Sequence, residues 1–221
     1  MSKPPVIAID GPSASGKGTV AQGVAAELGF HYLNSGALYR TVALAAMRSG
    51  AEIEESTLAE VARTLDARFH GDNVELGGKD ATLAIRSEEV GELASRIAAL
   101  PRVRGTLLER QRTFRRPPGL VADGRDMGSV VFPDSVLKIF LTATPEERAE
   151  RRYKQLMDKG MGANMAALLQ DIRERDRRDS ARAAAPLQKV ANAVLIDTTN
   201  MSAADAVAQV LALYKEASRA P

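Results

Sequence analysis

The chain has 221 residues, 45% hydrophobic and 26% charged, the make-up of a globular α/β domain with one sizeable core. Lys and Arg total 30 against 28 Asp and Glu, and aromatics are 4% with no Trp, so neither a basic tail nor a base-stacking strip argues for nucleic-acid binding. With no Cys and two His, a disulfide, a thiol nucleophile, a structural zinc site and a Ser-His triad are all disfavoured.

No apolar run approaches the roughly 18 residues that span a bilayer, and no basic-then-apolar leader opens the chain. The expectation is therefore a cytoplasmic protein with no membrane partner.

In chain order, Val6-Ile7-Ala8-Ile9-Asp10 reads as a buried strand feeding Gly11, Pro12, Ser13, Ala14, Ser15, Gly16, Lys17, Gly18 and Thr19. Glycines at 11 and 16 let the backbone curl so that successive N–H groups point at one anion. Lys17 adds a mobile positive charge, and the helix that follows shows its apolar spacing in Val20, Val24 and Leu28. This is a phosphate-cradling loop with one departure. The position after the lysine, where a P-loop carries a metal-ligating hydroxyl, is Gly18, and the hydroxyl comes at Thr19. A nucleotide site without that ligand would hold its Mg²⁺ mainly through phosphates and water.

Residues 30–33 form a second short strand, followed by a helix over 35–47 with Ser35 as its capping residue and Arg40 near its second turn. Read alone, that is either a ligand-facing pair or a cap plus a solvated arginine. The stretch 66–86 changes texture. Residues 66–70, 73–76 and 82–85 read as three short antiparallel strands, with Gly77-Gly78 as a turn. A helix over 87–99 follows, and Pro101 opens another. The block is an insertion between the second and third core strands.

Residues 119–123 are the next buried strand, running into Asp123-Gly124-Arg125-Asp126-Met127-Gly128. Ligands of open α/β sheets bind at such carboxyl ends, so Asp123 is placed to orient metal-bound water. Arg125 and Asp126 make an adjacent donor–acceptor pair; a surface turn with an ion pair is the plainer alternative. A strand over 136–141 precedes a helix opened by Thr144-Pro145 that carries Arg148, Arg151 and Arg152. Asp158-Lys159-Gly160-Met161-Gly162 then reads as a hinge for a lid. On the next helix Arg175, Asp179 and Arg182 fall at i, i+4 and i+7, a shared face if the helix continues, or else a salt-bridged solvated helix. A strand over 193–197 and a helix capped by Ser202 close the chain.

The alternation predicts an α/β three-layer sandwich, a parallel core sheet with helices on both faces, carrying a small mixed α/β insertion. Many arginines near a P-loop, without a His or Cys base, suit phosphoryl transfer to an acceptor that is already ionised.

Taken together, Gly16-Lys17-Gly18-Thr19, Ser35-Gly36-Ala37-Leu38-Tyr39-Arg40, Asp123 to Gly128 and Arg175-Asp176-Arg177-Arg178-Asp179 resemble the bacterial cytidylate kinases. The resemblance runs over nearly the whole chain and implies a P-loop fold with core 1–35, 101–150 and 166–221, an acceptor-binding insertion over 36–100 and a short helical lid over 151–165. It also implies transfer of the ATP γ-phosphoryl group to CMP or dCMP. It assigns ATP phosphates to Gly11–Thr19 and the acceptor phosphate to Arg40, Arg125 and Arg175 or Arg182. It also assigns the sugar hydroxyls to Asp179 and the base to Ser95, Arg104 and Asp126. Ser35 belongs to the substrate set, and Lys17, Arg125, Arg151, Arg152 and Arg175 to the catalytic set. Cytosine offers an N4 amine, which wants acceptors such as Asp126 and Ser95, and N3 and O2, which want a donor such as Arg104.

Asn34 stands where the family usually has Asp, removing a charge near the acceptor, and Ser129 where it has Thr. A monomer is the default expectation. The alternatives are a kinase for another monophosphate, chiefly UMP, and a nucleotide-dependent switch or nucleic-acid-binding P-loop protein.

Overall fold

In the computed structural model, which describes residues 3–71, 73–158 and 162–219, the strand Val6–Asp10 (β1) is buried along its whole length. Such a strand must be central. It pairs in parallel with Leu120–Gly124 (β6) on one side and Leu137–Thr142 (β7) on the other. His31–Asn34 (β2) and Val194–Asp197 (β8) form the edges, giving one parallel five-stranded sheet in the order β2-β6-β1-β7-β8. The expected α/β class and parallel core are what the chain adopts.

Lys17–Leu28 (α1) and Ala203–Ala217 (α8) cover one face, where Ile7, Ile9, Val20, Val24, Ile139, Leu141 and Val210 pack as one core. A fully buried side chain of this kind contributes about 1.5–3 kcal/mol. Pro101–Arg112 (α5) lies on the other face, where Val6, Ala8, Leu33, Leu120, Ala122, Met127 and Phe132 meet and Leu108 of α5 packs against them. In register, Asp10 stands beside Gly124. The loop after β1 and the turn after β6 therefore open on the same sheet edge.

Between β2 and α5 lies a separate apolar cluster formed by Ser35–Ser49 (α2), Glu55–Arg63 (α3), Glu88–Ile97 (α4) and a three-stranded antiparallel sheet. That sheet is Ala67–His70 (β3), Asn73–Leu76 (β4) and Lys79–Asp80 (β5). The third strand is not at 82–85, as the sequence suggested. Gly77 and Gly78 adopt φ values of 58° and 71°, a two-residue turn that puts Lys79 straight opposite Leu76. Asp80 then accepts a hydrogen bond from the Thr82 amide, 2.9 Å away, and the chain enters a 3₁₀ turn at Ala84–Arg86. Helix α3 had no counterpart in the sequence reading.

Two helix ends also differ from expectation. Asn34, not Ser35, caps α2: its side chain accepts from the Ala37 amide at 2.8 Å. Ser35 is buried and donates to Gln111 Oε1 at 2.8 Å, tying α2 to α5. Pro145–Met157 (α6) packs against Met165–Ala181 (α7). Helix α7 stops before Arg182, which has φ −60° and ψ 132°, so the three-residue helical face at 175, 179 and 182 is not continuous. Arg182 still turns back, its Nε donating to the Asp179 carbonyl at 3.3 Å. Lys159, Gly160 and Met161 of the expected hinge lie outside the described residues.

Candidate active site

One cleft of about 860 Å³ runs from the loop after β1 to the space between α2, α4 and α7. Its lining includes Ser13 to Thr19, Ser35, Arg40, Ser95, Arg104, Asp123, Arg125, Asp126, Arg151, Arg152, Arg175, Asp179 and Arg182. Gly11 and Pro12, at the strand end of the loop, are buried beneath it.

The loop is held from below. Gly11 has φ 154°, and a Cβ there would lie 1.9 Å from the Leu141 carbonyl oxygen, so β7 leaves room for no side chain. Lys17 Nζ donates to the Pro12 carbonyl at 2.8 Å, folding the side chain along the loop. Burial, seconded by the charge of Arg125, brings the Lys17 ammonium down from 10.5 to about 7. The hydroxyl of Ser15 is buried with no hydrogen-bond partner among the described residues.

Asp10 is a site residue the sequence reading passed over as a strand end. Its carboxylate accepts from the amides of Met127 and Gly128, both at 2.8 Å, and so clamps the turn after β6 to the end of β1. Burial pushes this carboxyl up to about 6, against the pull of those two amides. Asp123 sits beside Gly18. The Tyr32 hydroxyl donates to Asp123 Oδ2 at 3.3 Å, and a Cβ on Gly18 would come 3.5 Å from that same oxygen. The residue after Lys17 thus lies within contact range of a carboxylate.

Helix α6 brings three arginines to this end. Arg148, buried, spans from the Ser13 carbonyl at 3.1 Å to both oxygens of Asp176. Arg151 donates to the Ser15 carbonyl at 3.3 Å and to Thr198 Oγ1 at 3.0 Å, while Thr198 Oγ1 stands 3.1 Å from the same Ser15 carbonyl. Thr198 is a second contributor that no motif marked. Arg152 points the other way, to Glu88 on α4, with Nε to Oε1 at 3.0 Å.

The far end of the cleft is built from side chains of separate elements. Arg40 donates to the Ile85 carbonyl at 2.9 Å, with burial and the neighbouring charges of Arg175 and Arg152 bringing it down to about 10. Helix α4 presents Gly91 to it: a Cβ there would be 2.8 Å from both Arg40 Nη2 and Arg175 Nη2. Arg125 Nε donates to Asp179 Oδ2 at 2.8 Å. Burial opposes ionisation of Asp179, but the charges of Arg125 and Arg182 hold it below the usual carboxylate range. Deeper, Arg104 Nη2 pairs with Asp126 Oδ2, and Arg104 Nη1 donates to the Ala98 carbonyl at 3.1 Å. Ser95 Oγ, on α4, lines the same cleft and is buried with no partner among the described residues.

All the residues singled out from the sequence therefore line or underlie one cleft, with a phosphate-type loop at one end and a guanidinium–carboxylate array at the other. Among the described residues no cluster of three or more His, Asp or Glu converges as a protein-only metal cage, and no helix is long and apolar enough to cross a membrane.

Residues 7–216 match the family model described as cytidylate kinase. The chain is 54% identical to the cytidylate kinase of Nitrosomonas europaea, over 98% of this chain and 97% of that protein. It is 58% identical to the cytidylate kinase of Bordetella bronchiseptica, over 96% and 95%, and 59% identical to that of Bordetella pertussis, over 94% and 93%.

Proposed function

The chain belongs to the cytidylate kinase family, and on that footing we propose how its cleft divides the work of moving the γ-phosphoryl group of ATP to CMP or dCMP. It is an ATP-dependent nucleoside monophosphate kinase, a phosphotransferase whose acceptor is itself a phosphate. Such an acceptor is ionised at neutral pH, so the protein needs cations and alignment more than a general base.

In this reading the β- and γ-phosphates of ATP lie on Gly11–Thr19, where the amides and the orphan Ser15 hydroxyl supply donors. Lys17 leaves the Pro12 carbonyl for the phosphates, and their charge restores its proton. The acceptor phosphate takes Arg40, Arg125 and Arg175; the Nη2 groups of Arg40 and Arg175 crowd together at Gly91, and Arg125 is paired with Asp179. Asp179 accepts from the sugar, with Ser35, Arg182 and the insertion over 36–100 closing the acceptor side. From α6, Arg151 on the loop side and Arg152 on the side of α4 add positive charge about the transferring group.

Mg²⁺ with ATP fits the donor set. Asp10 is engaged by two amides, and Asp123, which accepts from the Tyr32 hydroxyl, is the carboxylate beside Gly18 of the loop. An ion that keeps most of its waters and binds phosphate oxygens would be held by Asp123 through water. Its chemistry there is neutralisation of the phosphate charge. A monomer and a cytoplasmic location stay part of the same proposal.

The observation that carries acceptor identity is the Arg104–Asp126 pair in the same cleft as a buried Ser95 hydroxyl with no partner among the described residues. Donor and acceptors in that arrangement match N3, O2 and N4 of cytosine. Uracil would turn an acceptor toward the Asp126 carboxylate. The test is ADP release with ATP alone, then with CMP, dCMP, UMP or AMP added. Stimulation by CMP and dCMP well above UMP and AMP is expected; no stimulation by any monophosphate would overturn the reading.

A further inference from the structure

Glu88 is a residue that no motif marked, and its position is unusual. It opens α4 on the acceptor side of the cleft, next to the capping Ser87, yet its partners come from α6 and α7. Glu88 Oε1 accepts from Arg152 Nε at 3.0 Å and from Arg152 Nη2, and Glu88 Oε2 lies 3.5 Å from Arg175 Nη2. Arg152 is further anchored to the Arg86 carbonyl at 3.4 Å. The side chains of Arg152 and Arg175 are 19% and 15% exposed, and that of Glu88 is 43% exposed. A half-solvated carboxylate thus binds two well-covered guanidinium groups. Arg40 stands in the same group, since its Nη2 and that of Arg175 both crowd Gly91.

A carboxylate with two oxygens presented to guanidinium N–H groups is a chemical mimic of two phosphate oxygens. The Arg152 N–H groups that Glu88 occupies cannot also bind a phosphate, and Arg175 Nη2 lies within ion-pair range of the same carboxylate. Both arginines are ones the transfer reaction uses in the site assignment above, and this inference rests on that assignment. We propose that Glu88 is a built-in competitor of the phosphoryl groups: it holds Arg152 and Arg175 between turnovers, yields them to substrate phosphate, and takes them back as product leaves. It acts through those arginines and so is a positioning residue. Its partial exposure suits the exchange, because a displaced Glu88 carboxylate goes back to water at little cost. A fully buried counter-ion could not.

The test uses the intact protein with Glu88→Gln, which removes the charge and keeps the shape, and Glu88→Asp, which keeps the charge. Binding of CMP and of cytidine is measured by calorimetry, with kcat and KM for CMP alongside. Loss of one competing charge-assisted contact corresponds to about tenfold tighter CMP binding in Glu88→Gln. Cytidine, which has no phosphate, binds all variants equally, and kcat falls as product is retained. Glu88→Asp lies near the parent.

Weaker or unchanged CMP binding in Glu88→Gln, or an equal shift for cytidine, overturns the proposal. If Glu88→Gln is unfolded by its thermal transition, the carboxylate is a structural strut and the proposal also fails. A parent protein that binds no CMP would instead fail the site assignment, a result readily told apart from these.

Discussion

The two ends of the cleft are built on different principles. At the donor end the ligand-facing groups are consecutive: the loop from Gly11 to Thr19 follows one strand, and its backbone is fixed by carbonyl contacts to Lys17, Arg148 and Arg151. At the acceptor end Arg40, Ser95, Arg104, Asp126, Arg175 and Asp179 come from four helices and one strand-end turn, joined by side-chain pairs beside a spare buried hydroxyl. A backbone-built site binds what every relative with that loop binds. A side-chain site is where identity is chosen, and where single substitutions re-aim the chemistry rather than remove it.

Breaking the donor end should therefore be drastic. Gly11→Ala places a Cβ 1.9 Å from the Leu141 carbonyl. The strand or the loop must move, at a cost on the order of 3 kcal/mol or more. The expected result is a large drop in the denaturation midpoint together with loss of ATP binding, read by chemical unfolding and by titration with ATP. Lys17→Met spares the fold but removes the charge over the transferring group. A drop of about 10²–10³ in kcat is expected, as for loss of one preorganised electrostatic contact, measured in a coupled assay at saturating CMP.

Acidity gives a milder, graded test of the same end. Lys17 in the nucleotide-free cleft titrates at about 7 rather than 10.5. It loses charge as pH rises through 7, so kcat/KM for ATP falls up to about tenfold per pH unit above that point. The stability consequence has the opposite sign. The unfolded lysine keeps its proton up to 10.5, so the cost of burying the cation is present below pH 7 and fades between pH 7 and 10.5. Stability of the parent rises through that window relative to Lys17→Met, which chemical unfolding at several pH values will show.

At the acceptor end the smallest change is Ser95→Ala. Its hydroxyl has no partner to lose among the described residues, so thermal stability stays level while KM for CMP rises about three- to tenfold. A large loss of stability would mean the hydroxyl is bonded within the protein rather than kept for a ligand.

The contrast also explains what the sequence made legible. The donor loop is local: strand, glycines, lysine and amphipathic helix are consecutive, so its chemistry reads directly. The parallel sheet followed from four buried-type runs and one short run alternating with helices. Asp10 was missed because a carboxylate at a strand end looks like punctuation; its partners, the Met127 and Gly128 amides, are over a hundred residues away. Thr198 and Glu88 were missed for the same reason. Arg40, Arg104 and Arg175 were distinguishable from solvated arginines only through the family resemblance, since helical spacing alone fits a surface salt-bridge face equally well. Helix ends and the third strand of the small sheet were misplaced where one side chain or one turn decides: the Asn34 cap, and the tight Gly77-Gly78 hairpin.

The central claim is that acceptor identity resides in the Arg104–Asp126–Ser95 group and not in the phosphate-binding loop. The most direct measurement is the ratio of kcat/KM for CMP to that for UMP in the parent and in Asp126→Ala. The account predicts a loss of about 100-fold for CMP, from removing an acceptor for the cytosine amine and stranding Arg104, and much less for UMP. The ratio should collapse while ATP binding is unchanged. Equal losses for both acceptors, with the ratio preserved, would contradict it.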